Sequence, residues 1–207
     1  AVIVGGSGLF VQALLEDLQF PGNNPQIRER LYAEAEELGI ESLYKRLQDF
    51  DPLAAANILP TNDRRIIRAL EVIEITGAAP VTELNELAEV VPSIRIGLKR
   101  DRAELDERIN RRVDWMWEQG FVAEVEQLVD LGLREGITAS KALGYQQVLD
   151  ALAGVISMDQ AKEDTKAGTR RFARRQESWF NRDKKIHWVD ASAVSAEELI
   201  AQHELLS

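Results

Sequence analysis

Basic side chains are concentrated near the C-terminal end of this chain. Lys166–Lys185 contains eight Lys or Arg residues against two acids, whereas the whole chain of 207 residues has a formal net charge of −10. Read as a helix, the stretch places one cationic stripe at steps of three and four residues: Arg171, Arg174, Arg175, Ser178 and Arg182. Guanidinium groups form paired hydrogen bonds to phosphate oxygens, so the stripe favours an anion-binding role. An ordinary solvated helix surface is the alternative.

Aromatic side chains are predicted on the other side of the same helix. Phe172, Trp179 and Phe180 fall there, with Gln176 between them, and we expect them to anchor the helix in a core. Anchoring bears on chemistry, because a cation stabilises a developing negative charge best when it is already held in place.

A glycine-rich turn lies close to the start of the chain. Residues 1–4 are predicted to form a strand, residues 5–8 (Gly-Gly-Ser-Gly) a turn, and residues 9–18 a helix. This order directs backbone N–H groups and a positive helix end towards an anion. It is neither a Walker A loop nor a G-x-G-x-x-G fingerprint. A tight turn that needs glycine for its backbone conformation is an equally good interpretation.

Two further helices carry arginine. Arg64, Arg65 and Arg68 are predicted to share a face opposite Ile66, which makes them a candidate wall of a groove. In the helix predicted from residue 101 or 106 to 119, the basic residues are Arg108, Arg111 and Arg112. Pairing of Glu104 with Arg108, and of Glu107 with Arg111, is the ordinary structural alternative for that helix.

The order of elements predicts an α/β protein with a helical insertion. Residues 21–92 show no convincing strand and are bounded by proline, so we expect a helical unit there. Within it, Asp51 is predicted as a helix N-cap, Gly77 as a helix stop, and residues 81–87 as a further helix. Strands are predicted at 93–98 and 186–189, with helices between and after them. We therefore expect three segments: core residues 1–20, a helical insertion at 21–92, and core residues 93–207.

Composition excludes several classes of protein. Hydrophobic residues make up 45% and charged residues 29%, as in ordinary globular proteins, and there is no cysteine for disulfides or thiolate metal sites. No apolar run approaches the roughly 20 residues of a membrane helix. A pI near 4.8 argues against indiscriminate coating of nucleic acid but allows a focused basic site. Because residue 1 is alanine, we expect the natural N-terminus to lie upstream.

Five stretches in this order resemble the bacterial tRNA dimethylallyltransferases (tRNA isopentenyltransferases). They are GGSGLFVQALLEDL, NDRRIIRALEV, ERINRRVDWMWEQGFVAEV, KALGYQQ and TRRFARRQESWFNRD. The resemblance covers essentially all 207 residues. The resemblance implies transfer of a dimethylallyl group from dimethylallyl diphosphate to the exocyclic amine of the adenosine 3′ of a tRNA anticodon. It also implies a P-loop nucleoside-kinase-like core with a helical insertion that binds the anticodon stem-loop.

The resemblance further implies roles for individual residues. Arg108, Arg112, Arg171 and Arg174 would act in catalysis at the diphosphate. The residues expected to contact tRNA are Ser7, Arg28, Arg64, Arg65, Ile66, Ile67, Arg68, Lys141, Gly144, Tyr145, Gln146, Gln147, Arg175 and Gln176. Magnesium is expected as cofactor, bound by phosphate oxygens and water rather than by a protein-only site. A cytoplasmic monomer without membrane attachment is expected.

The family's phosphate-binding loop and its general-base aspartate would precede residue 1, so we expect the chain as printed to be inactive. Two alternatives from other classes remain at this stage. One is an isopentenyltransferase or kinase-like enzyme that acts on a free nucleotide. The other is a non-catalytic RNA-binding fragment, which fits a chain without a phosphate-binding loop.

Overall fold

The computed structural model describes residues 2–16, 18, 20–78, 89–136, 138–195, 197, 198 and 201. Two compact units are present. Leu9–Pro92 forms the helical unit, and Ala1–Gly8 together with Ser93–Ser207 forms the α/β unit. Residues 9–20, which we predicted with the first core segment, fall in the helical unit by this division. The three predicted domains and their roles stay predictions.

The described residues are mostly helical. In chain order the elements are α1 (Gly8–Leu15), α2 (Pro25–Leu38), α3 (Ile40–Phe50), α4 (Pro52–Ala56), α5 (Asp63–Thr76), β1 (Arg95–Lys99), α6 (Arg102–Glu118), α7 (Phe121–Asp130), α8 (Tyr145–Leu152), α9 (Met158–Phe180) and β2 (Ile186–Asp190). Short 3-10 turns occupy Leu133–Glu135 and Ala139–Lys141. The further helices predicted at residues 81–87 and 196–206 lie wholly or largely outside the described residues.

Helices α2, α3 and α5 pack together because apolar residues recur on one face of each. Their shared core contains Leu31, Leu43, Leu47, Ile66, Ile67 and Leu70. Side chains cap the helix starts: the oxygens of Asn24, Asp51 and Asn62 each accept a backbone N–H from the following turn. Gly77 ends α5 in the left-handed conformation, with φ at 76°. The predicted cap at Asp51 and stop at Gly77 are confirmed.

A carboxylate is buried inside this helical unit. Glu71 on α5 has no solvent exposure, and it accepts hydrogen bonds from Arg28 Nη2 at 2.8 Å and Arg68 Nη1 at 2.9 Å. The backbone N–H of Asn24 donates to its other oxygen at 2.8 Å. Burial by itself would raise the pKa of Glu71, but the hydrogen bonds from Arg28, Asn24 and Arg68 outweigh it and hold that pKa below its ordinary value of 4.5.

In the α/β unit, β1 and β2 pair in parallel, with Arg95 opposite Ile186 and Lys99 opposite Asp190. The strands predicted at 93–98 and 186–189 are confirmed within two residues. The strand predicted at residues 1–4 is wrong for its described part, because residues 2–4 lie outside any strand and Val2 and Val4 are about nine-tenths exposed. β-Branched residues favour a strand only where a neighbouring strand accepts their hydrogen bonds.

The first prediction concerns the buried carboxylate. Glu71→Gln should lower the opening free energy of the α2 and α5 amides by about 2 kcal/mol at pH 7, because charge-assisted hydrogen bonds are lost. The folded pKa lies below 4.5, so this contribution is present above about pH 4.5 and is lost as the pH falls through the folded-state value. The measurement is hydrogen exchange of those amides in wild type and variant from pH 7 to the acid range.

Glu74→Gln is the matched control on the same helix. Its carboxylate is 30% exposed and pairs with Arg30 and Arg46, so its replacement should cost less than about 1 kcal/mol. Equal losses at the two positions would contradict a special role for Glu71.

Candidate functional site

Helix α9 is fixed on one side by α6. Arg102 Nη2 donates to the backbone carbonyl of Arg170 at 3.0 Å, and the Arg170 guanidinium donates to the side-chain oxygen of Asn110. Further along α6, Lys162 and Lys166 each place Nζ 2.8 Å from Asp114 Oδ1. Residue numbers rise on α6 as they fall on α9, so the two helices run antiparallel.

The ion pairs at Asp114 affect its titration. Hydrogen bonds from Lys162 and Lys166 hold the pKa of the Asp114 carboxyl below its ordinary value of 3.8. The hydrogen bond to Asp114, followed by that to Glu163, raises the pKa of Lys166 above 10.5. Asp114 and Lys166 therefore stay charged at neutral pH, and their ion pair joins α6 to α9 rather than binding an external anion.

A second face of α9 packs against the segment that leads into α8. Ala161, Thr165 and Gly168 are buried on this face. A Cβ on Gly168 would stand 2.6 Å from Leu143 Cδ1, so a larger residue there would displace the Leu143 side chain. Gly144, with φ at 96°, lies close to Phe121, where a Cβ would meet the ring at 2.9 Å.

The glycine turn contacts the C-terminal part of α9. Gln176 Nε2 donates to the backbone carbonyl of Gly6 at 2.8 Å. A Cβ on Gly6 would stand 1.9 Å from Gln176 Nε2, and one on Gly8 would stand 1.8 Å from Trp179 Cδ1. The turn is therefore seated on α9 through two side chains that the sequence predicted to face inwards. The interpretation that the turn needs glycine for a special backbone conformation is wrong, because Gly5, Gly6 and Gly8 are not among the glycines with positive φ. Glycine at position 8 instead allows the close approach to Trp179, and the anion-binding interpretation stays a prediction.

The arginines on the remaining side of α9 differ in their pairing. Arg171 and Arg175 are exposed and make no ion pair or hydrogen bond with any described residue. Arg174 Nη1 lies 3.9 Å from Asp106 Oδ2, a long contact for a side chain that is 54% exposed. Arg182 lies beyond the end of the helix, with its guanidinium 6.0 Å from the Trp179 ring centroid. The predicted stripe is therefore shorter than expected.

The predicted α6 residues are less constrained. Arg108 lies 3.8 Å from Glu104, and Arg111 lies 3.9 Å from Glu107, as the structural alternative expected. Arg112 is exposed and without an ion pair in the described part of the chain. All of these side chains project from a helix that α9 holds in place.

The KALGYQQ segment combines exposed and structural residues. Lys141 and Gln146 are exposed. Gln147 Oε1 accepts the backbone N–H of Gly144 at 2.7 Å, which caps α8. Tyr145 donates to Glu124 Oε1 at 2.5 Å, and this hydrogen bond, ahead of burial, raises the pKa of Tyr145 above 10. Among the polar residues of this segment, Lys141 and Gln146 are therefore the ones open to a ligand.

In the helical unit, the structure corrects part of the predicted tRNA surface. Ile66 and Ile67 are 0% and 1% exposed, so their side chains belong to the core and cannot touch RNA in this conformation. Arg28 and Arg68 are held by buried Glu71, a residue that sequence reasoning missed. Its signal was an acid one turn after Ile67 on the apolar side of the helix.

Arg64 and Arg65 remain as the open cations of that predicted surface. Both are exposed in the first turn of α5 and have no partner among the described residues. The turn itself is fixed, because Asn62 Oδ1 accepts the backbone N–H of Arg65 at 3.2 Å. In the α/β unit, Ser7 is likewise exposed, on the glycine turn.

The described residues contain neither a metal-binding cluster nor a membrane-spanning helix. No three His, Asp or Glu side chains are grouped closely enough to hold a metal ion. No described helix is both long and apolar enough to cross a membrane.

An α/β protein with an arginine-bearing helix seated on a glycine turn is suited to phosphate-bearing ligands. The sequence pattern of the IPP transferase family matches residues 1–183. The chain belongs to this family.

Individual relatives are similar over nearly the whole chain. The tRNA dimethylallyltransferase of Thermobifida fusca is 56% identical over 192 residues, which are 93% of this chain and 60% of the relative. That of Kineococcus radiotolerans is 53% identical over 190 residues, again 60% of its length. The chain therefore spans about three fifths of these relatives.

Solved structures agree with the fold. The full-length tRNA isopentenylpyrophosphate transferase of Bacillus halodurans is 33% identical, with a TM-score of 0.59 over 96% of this chain and 63% of that protein. A eukaryotic dimethylallyltransferase acting on tRNA is 23% identical, with a TM-score of 0.71 over 98% of this chain and 54% of that protein, and shows the fold alone.

The second prediction tests the seat of the glycine turn. Gly8→Ala should destabilise the α/β unit by about 1–3 kcal/mol, because the added methyl displaces the Trp179 indole. Gly6→Ala should cost about 1 kcal/mol, since the flexible Gln176 amide can move but loses its hydrogen bond. The measurement is the thermal midpoint together with tryptophan fluorescence.

Gly5→Ala is the matched control, because a Cβ there meets nothing within 4 Å. It should stay within about 0.5 kcal/mol of wild type. A Gly5→Ala variant as unstable as Gly8→Ala would show that the turn is not seated as described.

Proposed function

We propose that the full-length protein is a tRNA dimethylallyltransferase. It transfers a dimethylallyl group from dimethylallyl diphosphate to N6 of the adenosine 3′ of the anticodon. The observation that carries this proposal is the arrangement of α9, whose unpaired Arg171 and Arg175 project from a helix held by α6 and by the glycine turn. Membership of the IPP transferase family, and the names of the relatives, support it.

The chemistry needs such fixed cations. As the bond between the allylic carbon and the diphosphate oxygen breaks, a bond forms from that carbon to N6, and N6 loses a proton. Negative charge develops on the departing diphosphate, and guanidinium groups already in place stabilise it without reorganisation. Arg171 and Arg175 are our main candidates in this chain, with Arg112, Arg108 and Arg174 beside them.

The adenine must leave the stacked anticodon loop to react. We propose that residues 21–92 form a tRNA-binding insertion in a P-loop nucleoside-kinase-like core, of which residues 1–20 and 93–207 are parts. Arg64 and Arg65 contact the phosphates of the anticodon stem-loop. Ser7, Lys141 and Gln146 are our candidates for contacts nearer the reacting base, with Gly144, Tyr145 and Gln147 shaping that segment.

We propose that magnesium binds together with the diphosphate of the substrate. Mg²⁺ usually keeps several waters and binds substrate phosphates through few protein carboxylates. Within the described residues no three His, Asp or Glu side chains are grouped closely enough to hold a metal ion, and we assign no step to a metal site on this chain. We place the protein in the cytoplasm, with tRNA, as a monomer.

A transferase acting on a free nucleotide is the competing function. The names of the relatives specify tRNA, and the cap that fixes Arg64 and Arg65 has no evident use with a mononucleotide. The direct test supplies the full-length protein with dimethylallyl diphosphate and either tRNA or AMP. Prenylated AMP with unmodified tRNA would overturn the proposal. A reaction in which neither tRNA nor AMP is prenylated would overturn it as well.

The third prediction concerns RNA binding. The double variant Arg64→Ala/Arg65→Ala should weaken tRNA binding and reduce the slope of log affinity against log salt by roughly one per lost phosphate contact. The measurement is tRNA affinity at several salt concentrations. Arg46→Ala is the control, because this 44% exposed arginine of the same unit already pairs with Glu34 at 2.9 Å. An unchanged slope in the double variant would exclude these phosphate contacts.

The fourth prediction concerns turnover. Arg171→Ala and Arg175→Ala should each lower kcat at saturating substrates by roughly tenfold or more, with a smaller loss of tRNA affinity, because fixed charge acts mainly in the transition state. Arg111→Ala is the control: its side chain is 67% exposed and 3.9 Å from Glu107, so kcat should change less than about threefold. Weaker tRNA binding with normal saturated turnover would instead identify Arg171 and Arg175 as docking residues.

A further inference from the structure

One face of α9 is covered at both ends and open in the middle. Positions 161, 165, 168, 172, 176 and 179 follow at steps of three and four and share this face. The first three are buried, and the second and third lie against Gly144 and Leu143. The last two hold the glycine turn through Gly6 and Gly8. Phe172 lies between them and is 51% exposed.

This exposure corrects the prediction that Phe172 anchors the helix in a core. A phenylalanine ring half open to water leaves apolar area unburied, and an exposed apolar patch rimmed by polar residues is typical of a ligand-binding surface. Leu143, whose Cδ1 reaches the Gly168 position of the same face, is also 43% exposed. An apolar floor therefore lies between the glycine turn and the KALGYQQ segment.

The charges beside this floor indicate what covers it. Arg171 and Arg175 stand one and three residues from Phe172, on a single flank of the helix, and neither is paired within the described residues. The α6 contacts are made by Arg170 and Lys166, on the opposite side of α9. An aromatic ring bordered by unpaired guanidinium groups suits a nucleotide, because the ring stacks on the base and the guanidinium groups neutralise the charge of its phosphates.

We infer that Phe172 is a stacking platform for an unpaired RNA base, whose flanking phosphates are bound by Arg171 and Arg175. The inference rests on the proposed function and adds a base-positioning residue to it. A dimethylallyl chain is the less suitable occupant, because a short apolar chain has no charge for the neighbouring guanidinium groups to bind. Its diphosphate could use them, and the test below separates the two occupants.

The test uses the full-length protein and an anticodon stem-loop RNA in which single loop adenosines are replaced by 2-aminopurine, one per RNA. Stacking on a ring quenches this fluorophore. For at least one position, wild type should quench the signal in a way that Phe172→Ala abolishes, with RNA affinity reduced about tenfold. Phe172→Tyr should retain quenching and affinity, and Phe172→Leu should lose the quenching although it remains apolar.

Phe50→Ala is the matched control, because Phe50 of the helical unit is 52% exposed and the arginine one turn before it, Arg46, is paired with Glu34 at 2.9 Å. It should bind and quench like wild type. Thermal midpoints of all variants establish that each is folded. Because Phe172 is half exposed, we expect its replacement to leave the protein folded.

The outcomes are separable. If wild type binds the RNA and Phe172→Ala binds and quenches equally at every labelled position, the stacking role is wrong while the proposed function stands. If Phe172→Ala keeps quenching but raises KM for dimethylallyl diphosphate, the platform serves the prenyl donor and our inference is overturned. If wild type neither binds the RNA nor modifies tRNA, the proposed function fails and the inference fails with it.

Discussion

The candidate site depends on a single constraint, which is that α9 must serve three neighbours at once. Its 23 residues bind α6 on one side and the segment before α8 on another, and they hold the glycine turn near the C-terminal end. The α6 contacts occupy one strip of the helix, and the segment before α8 and the glycine turn occupy the two ends of another. The strip left over carries Arg171 and Arg175. Their fixed position is thus a consequence of packing elsewhere on the same helix.

The second organising feature is the division of arginines into paired and unpaired sets. In an acidic chain a guanidinium group readily finds a carboxylate, as Arg95 does with Asp183 at 2.6 Å and Arg100 with Glu104 at 2.5 Å. Acids near the basic stretch are already committed: Glu163 to Lys166 and Glu177 to Arg102. Arginines without such a partner lose little when they bind an external phosphate, because no ion pair has to be broken first.

The helical unit applies the same division around one buried charge. Glu71 holds Arg28 and Arg68 through ion pairs, and Arg68 also donates to the backbone carbonyls of Pro21 and Gly22. A buried carboxylate that lost its partners would be costly, so these arginines are not free to leave. Arg64 and Arg65, one helical turn earlier, have no such ion pair with any described residue. The unit therefore holds Arg64 and Arg65 as the open cations of the predicted tRNA surface.

The sequence by itself determined the helix bounds, the caps at Asp51 and Gly77, the two strands, the basic stretch and the family resemblance. These are local or periodic features, readable from residue type and spacing. Only the tertiary structure decided which basic residues are open, because pairing joins residues far apart in the chain, such as Arg28 with Glu71 or Arg170 with Asn110. It also moved Ile66 and Ile67 into a core and left Phe172 exposed. Whether a residue on a helix face is buried depends on where the neighbouring elements begin and end. The spacing of residues along one helix does not contain this information.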